Sequence, residues 1–284
     1  DSDYFGGSVS LSGTMGLVGA FGDDDGGNLA GSAYLYRDLD TATGNVTEAV
    51  KVTASDAAAN DYLGHSVSLS GNNFIIGTAN KEKVYTGTVS SLSTVNAGNT
   101  NEVIKGISFV SKRHWVIGES TDSNRLTLSS GDSADVSAAN QSVFVGRNAG
   151  SDNNTLVLEG SLKANNIYIG SVDGNTGNTL QIETGATIDL SDIYLTRNNR
   201  LIIEGNYSNS ADLLVFLDDT NLRVETEAGG TYVLATAANF NTAWRAAFGN
   251  GYTTITGAVP EPSTYALIIG LILAGIVAYK KRKA

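Results

Sequence analysis

Asp3-Tyr4-Phe5-Gly6-Gly7-Ser8-Val9-Ser10-Leu11-Ser12-Gly13 recurs 58 residues later as Asp61-Tyr62-Leu63-Gly64-His65-Ser66-Val67-Ser68-Leu69-Ser70-Gly71. A repeat of this length makes the chain an array of small units, each unable to bury an apolar face without its neighbour. Behind each copy runs a short apolar stretch, Leu17-Val18-Gly19-Ala20 in the first and Ile75-Ile76-Gly77-Thr78 in the second. Alternating apolar and small residues, a Ser-Gly break and a continuous apolar run read as strand, turn and buried strand. Ala33-Tyr34-Leu35-Tyr36 adds a strand to the first copy, and a worn third copy is expected from Gly106 to Gly118.

A second periodicity follows. Asn-x-Leu-x-apolar occurs at Asn124–Leu128, Asn154–Leu158, Asn178–Ile182 and Asn199–Ile203, with Asn221-Leu222-Arg223-Val224 a near match. Between these lie Val143-Phe144-Val145, Ile167-Tyr168-Ile169, Ile193-Tyr194-Leu195 and Leu214-Val215-Phe216-Leu217. Two short strands per turn, spaced 21 to 30 residues apart, predict a right-handed β-solenoid. A plain β-sandwich of short strands is the alternative. Asn before each strand suits left-handed backbone and an amide ladder between rungs. Asn239 to Gly249 reads as a helix, because Phe240, Trp244 and Phe248 stand four apart; spanning 239–248, it would cap the open end of the solenoid.

Thirty-three glycines and no cysteine fit short strands and tight turns held by ladder hydrogen bonds rather than disulfides. The net charge of −11 disfavours nucleic acid as a partner. Two histidines, His65 and His114, no cysteine and no Gly-x-Ser-x-Gly elbow leave nucleophilic catalysis and zinc without candidates, so no enzyme activity is expected. Carboxylates are the remaining chemistry. Asp23-Asp24-Asp25-Gly26-Gly27 places three acids in one loop, which reads either as a solvated acidic turn or as a calcium (Ca2+) site. Asp173 and Asp218-Asp219 are further turn acids without an EF-hand pattern.

The C-terminus is of another kind. Pro260 and Pro262, the only prolines, flank Glu261 and force an extended segment. Ala266–Ala278 is apolar, and Lys280-Lys281-Arg282-Lys283 follows. With Tyr265 and Tyr279 the run measures about 22 Å as a helix, short of the ~30 Å of a hydrocarbon core. It is expected to be a single transmembrane helix over 265–279 with its C-terminus cytoplasmic; a buried core helix is the alternative.

Two resemblances follow from these motifs. Phe5-Gly6, Val18-Gly19-Ala20 and Gly31–Tyr36, with Leu63-Gly64 and Gly77-Thr78, resemble FG-GAP repeats, the blades of integrin-α-type β-propellers. Closure of a propeller takes four to eight blades, so either blades precede Asp1 or the sheets stack openly, and the former is expected. Val259-Pro260-Glu261-Pro262-Ser263-Thr264 with its tail resembles the PEP-CTERM sorting signal of exported bacterial proteins. That resemblance implies recognition by an exosortase-type membrane enzyme near Pro260, Glu261 and Pro262. The chain begins at Asp1 with no initiator Met or signal peptide, so a processed or truncated start is expected.

The expected object is all-β: partial β-propeller-like FG-GAP blades over 1–120, then a short β-solenoid with capping helix over 121–249. A linker, 250–259, leads to the sorting tail, 260–284, with its transmembrane helix. The expected role is structural or adhesive, at the bacterial cell surface or in extracellular polymer, with a polysaccharide or protein ligand. The alternatives are a calcium-dependent binding module or a polysaccharide-active β-solenoid enzyme.

Overall fold

The computed structural model describes residues 2–171, 174–205, 220–227, 231–236, 238, 240 and 243–257. Its first sheet begins with β1 (Phe5–Ser12), β2 (Met15–Ala20), β3 (Ser32–Tyr36) and β4 (Val50–Ala54), each antiparallel to the next. A separate three-stranded blade follows, β5 (Ser66–Ser70), β6 (Asn73–Gly77) and β7 (Val84–Thr88). The two copies of the 58-residue repeat are therefore two antiparallel blades. No third blade forms from Gly106–Gly118: that segment belongs to the solenoid.

The solenoid starts at β8 (Thr94–Val95), well before the boundary expected at 120. Its first coils comprise β9 (Asn101–Ile104), β10 (Ile107–Ser111), β11 (Trp115–Ile117), then β12 (Arg125–Leu128), β13 (Ser133–Val136), β14 (Val143–Val145). Then come β15 (Thr155–Leu158), β16 (Ser161–Ile169), β17 (Thr179–Ile182), β18 (Thr187–Leu195), β19 (Arg200–Glu204) and β20 (Asn221–Glu227). All stack in parallel, in three rows rather than the two expected. One row runs β9-β12-β15-β17-β19. A second runs β10-β13 and the first halves of β16 and β18. The third runs β8-β11-β14, the second halves of β16 and β18, and β20. Asn221–Val224 therefore joins the third row, Leu222 beside Ile193, and is not a fifth Asn-x-Leu rung.

Identical positions stack to make the core. Leu126, Leu156, Leu180 and Leu201 form one fully buried column, and Val143, Ile167, Ile193 and Leu222 another. Each such leucine contributes about 1.5–3 kcal/mol by leaving water. Beside the first column lies the expected amide ladder. Asn154 Oδ1 accepts from Asn124 N and Nδ2 at 3.0 and 2.8 Å, and Asn178 Oδ1 accepts from Asn154 N and Nδ2 at 3.0 and 3.1 Å. Asn199 Oδ1 accepts from Asn178 N at 2.9 Å. The left-handed residues are those just before, Ser123, Asn153 and Asn198, not the ladder asparagines. Each coil opens where Gly146 and its counterparts sit against the next amide: Gly146 has φ +78°, and a β-carbon there would strike the Asn178 side chain.

Both ends are covered by antiparallel strands. At the start, β4 pairs with β10, fusing the first blade to the second solenoid row. At the far end β21 (Thr231–Leu234) pairs with β20, and the hairpin of β22 (Trp244–Gly249) and β23 (Tyr252–Gly257) pairs with β19. Where the capping helix was expected over 239–248, the described residues correct it: Trp244–Gly249 is a strand, with Trp244 fully buried and Phe248 exposed. A spacing of four returns to the same face in a strand as well as in a helix, so the three aromatics do not distinguish the two. The expected fold is also corrected in its helical part: the described residues contain no α-helix, and none long and apolar enough to cross a membrane. Residues 265–279, where that helix was expected, lie outside the described residues.

Candidate functional site: a cationic cavity where the blade meets the solenoid

Because β4 joins β10, the loop after β3 is carried over the outer side of the third solenoid row. Arg37 and Asp38 from that loop meet Ser93 and Thr94 at β8 and Lys112-Arg113-His114 between β10 and β11. Glu119, Gln141 and Arg147 complete a cavity of about 410 Å³. Four permanent cations line it against two carboxylates, on a chain whose net charge is −11.

Three of the four bases each face a carboxylate, and Arg37 faces a hydroxyl. Arg113 Nη2 lies 2.8 Å from Asp38 Oδ2, and Arg147 Nη1 lies 3.3 Å from Glu119 Oε1. Lys112 Nζ reaches Glu48 Oε1 at 2.5 Å. Half-buried Arg37 donates to the Ser93 hydroxyl. Burial, and then the charge of Arg113, pull its pKa below the ordinary arginine value. His114 Nδ1 accepts the Ser142 N–H at 3.0 Å, which leaves Nε2 to carry the proton of the neutral ring. Burial first, and then Arg147, hold its pKa below 6.5. Burial leads both shifts, and a neighbouring guanidinium adds to each.

From the cavity an aromatic column descends the third row. His114 meets Phe144 edge-on at 5.2 Å, and Phe144, Tyr168 and Tyr194 stack nearly parallel at 5.0 and 4.6 Å. The Arg147 guanidinium covers Phe144, and that of Arg223 covers Tyr194. Tyr168 has both ring faces taken by its neighbours, so the column offers edges rather than a flat platform for a sugar ring.

The expected calcium ligands are engaged by protein groups. Lys51 Nζ lies 2.7 Å from Asp23 and 2.5 Å from Asp25. Asp23 also accepts from Tyr34 Oη at 2.6 Å and Ser32 Oγ at 2.9 Å, while Asp24 turns to the Leu29 N–H at 2.7 Å. An ammonium thus stands where the loop would hold a cation, and no cluster of three or more potential metal ligands forms among the described residues. The second blade inverts the arrangement: Lys81 bridges Asp61 at 2.7 Å and Asp56 at 3.3 Å. His65 packs beside Phe21 at the blade junction, 5.5 Å between rings. Pro260, Glu261, Pro262, Asp173, Asp218 and Asp219 lie outside the described residues.

Lys112, Arg113 and His114 of this cavity are consecutive in sequence. Arg37 and Arg147 lie far away in sequence: the β4–β10 pairing carries in the first, and the stacking of β14 on β11 the second.

The FG-GAP repeat family model matches residues 1–36 and 46–90, the two blades. The N-terminal region carries FG-GAP repeats. Such repeats point to an extracellular, adhesion-type module. No curated protein and no solved structure matches the chain.

Proposed function

We propose that the protein is an exported structural or adhesive component of the bacterial cell envelope or extracellular polymer, and that the junction cavity holds an anionic group of its ligand. The cavity itself carries this reading: four cations converge on one concave site of an acidic chain. Arginine forks suit carboxylates and sulfates. The repeated uronate carboxylates of an acidic polysaccharide are a ligand chemistry that matches both the site and an adhesive module. In the same reading, Pro260-Glu261-Pro262 is the segment an exosortase-type enzyme reads during export.

Co-sedimentation with insoluble polygalacturonate and with cellulose tests the proposal. The charged polymer should retain the protein at low salt and release it as salt rises, and the neutral polymer should not retain it. Equal retention by both polymers, or none by either, would refute the assignment.

A further inference from the structure

The ring stack of the third row is closed at both ends by a guanidinium. Arg147 lies over Phe144 with 5.0 Å to the ring centre, and Arg223 lies over Tyr194 at 5.9 Å. Arg147 belongs to the cavity. Arg223 comes from β20, further along the same row, because Phe144 pairs with Tyr168, Tyr168 with Tyr194 and Tyr194 with Arg223. At about 4.8 Å for each of these steps, the two cations mark a line of roughly 14 Å.

The surface between them is suited to oxygen. Strand alternation turns Ile167, Ile193 and Leu222 into the core and their neighbours outward. Outward beside the rings stand Asn166, Asp192 and Asn221, again in register. Their amides offer donors and acceptors to hydroxyl groups. The Asp192 charge is matched within the protein, since its Oδ1 lies 2.5 Å from Arg223 Nε. Stacking turns the negative ring faces toward one another and leaves the positive edges outward.

We propose that an extended strand of acidic polysaccharide runs along this face, with one carboxylate in the cavity and another on Arg223. This rests on the reading of the cavity as an anion site. The occupant follows from charge complementarity and from continuity with the cavity. Two guanidiniums at the ends of one line, with amides and ring edges in register between them, match a linear chain that carries repeated anions and hydroxyls. A single small anion needs only the cavity, and a neutral chain leaves both guanidiniums unmatched.

Calorimetric titration of the full chain with digalacturonate and octagalacturonate tests this in the wild type and two variants. Arg223→Gln removes the charge but keeps a stem over Tyr194, and Tyr168→Phe removes one hydroxyl from the line. The octamer should bind the wild type more tightly than the dimer. A longer chain also presents more overlapping disaccharides, so the variants decide. Arg223→Gln should weaken the octamer about fivefold, the upper end for one exposed ion pair, and leave the dimer unchanged. Tyr168→Phe should act in the same direction and less. Octamer affinity that neither variant alters, or equal wild-type affinity for the two ligands, would overturn the track and leave the cavity standing. Binding of neither ligand would overturn both.

Discussion

Asn154 Nδ2 donates to Asn178 Oδ1 across one coil of the solenoid at 3.1 Å, and both side chains are fully buried. The pair fixes register where the coil lengths do not: successive ladder asparagines are 30, 24 and 21 residues apart. Variable loops are accommodated because the amide, not the loop, sets where the next strand begins. The ladder ends imperfectly, with Asn178 Nδ2 buried and unpartnered.

Asn154→Ala should therefore be costly for an exposed-looking polar residue. It strips the buried Asn124 N–H of its acceptor, at about 1–3 kcal/mol for a buried donor left bare, while Asn124 Nδ2 keeps Thr121 O and Oγ1. The urea midpoint should fall with little change in slope. A shift within about 0.5 kcal/mol, typical of surface positions, would show that the ladder does not set the register.

Acid should loosen the first blade. Burial alone raises the Asp23 pKa, but Lys51, Tyr34 and the Asp25 N–H together hold it below 3.8. A carboxylate with a depressed folded pKa adds stability that is present above its unfolded value and lost as pH falls through the folded one. Melting temperature should thus decline below about pH 4 in the wild type and decline less in Asp23→Asn. Identical acid profiles would contradict the linkage.

Calcium should have little to do at Asp23–Asp25, since the Lys51 ammonium already bridges two of the three acids. Adding calcium or EGTA should leave the melting temperature unchanged. A calcium-dependent rise of several degrees would mean that the ion displaces Lys51.

Strand β22 makes a different prediction from the helix expected of its sequence. Trp244→Ala should cost about 3–5 kcal/mol, because the ring is fully buried and its Nε1 donates to Thr236 O at 3.1 Å. Phe248→Ala, at the exposed end of β22, should cost much less. Equal losses would indicate that both rings cover the core.

What the sequence revealed was what repeats in register. The blades were legible because Ser8-Val9-Ser10-Leu11 and Ser66-Val67-Ser68-Leu69 are nearly identical, and the ladder because asparagine precedes each Leu rung. The second solenoid row was not, since Ser161–Ala164 and Thr187–Leu190 are short alternations continuous with the strand that follows. Trp115–Ile117 looked like a worn blade because a buried parallel strand and a buried antiparallel one share the same apolar run. The cavity was illegible for a topological reason: Arg37, Arg113 and Arg147 converge only once β4 has paired with β10 and β14 has stacked on β11.

The most direct measurement is a calorimetric titration of the full chain and of Arg113→Ala with oligogalacturonate. The account predicts wild-type binding that strengthens as pH falls below about 6.5 and His114 gains its proton. It also predicts roughly tenfold weaker binding in the variant, about 1.4 kcal/mol. Equal affinity in the two proteins would contradict the claim that the junction cavity is the binding site.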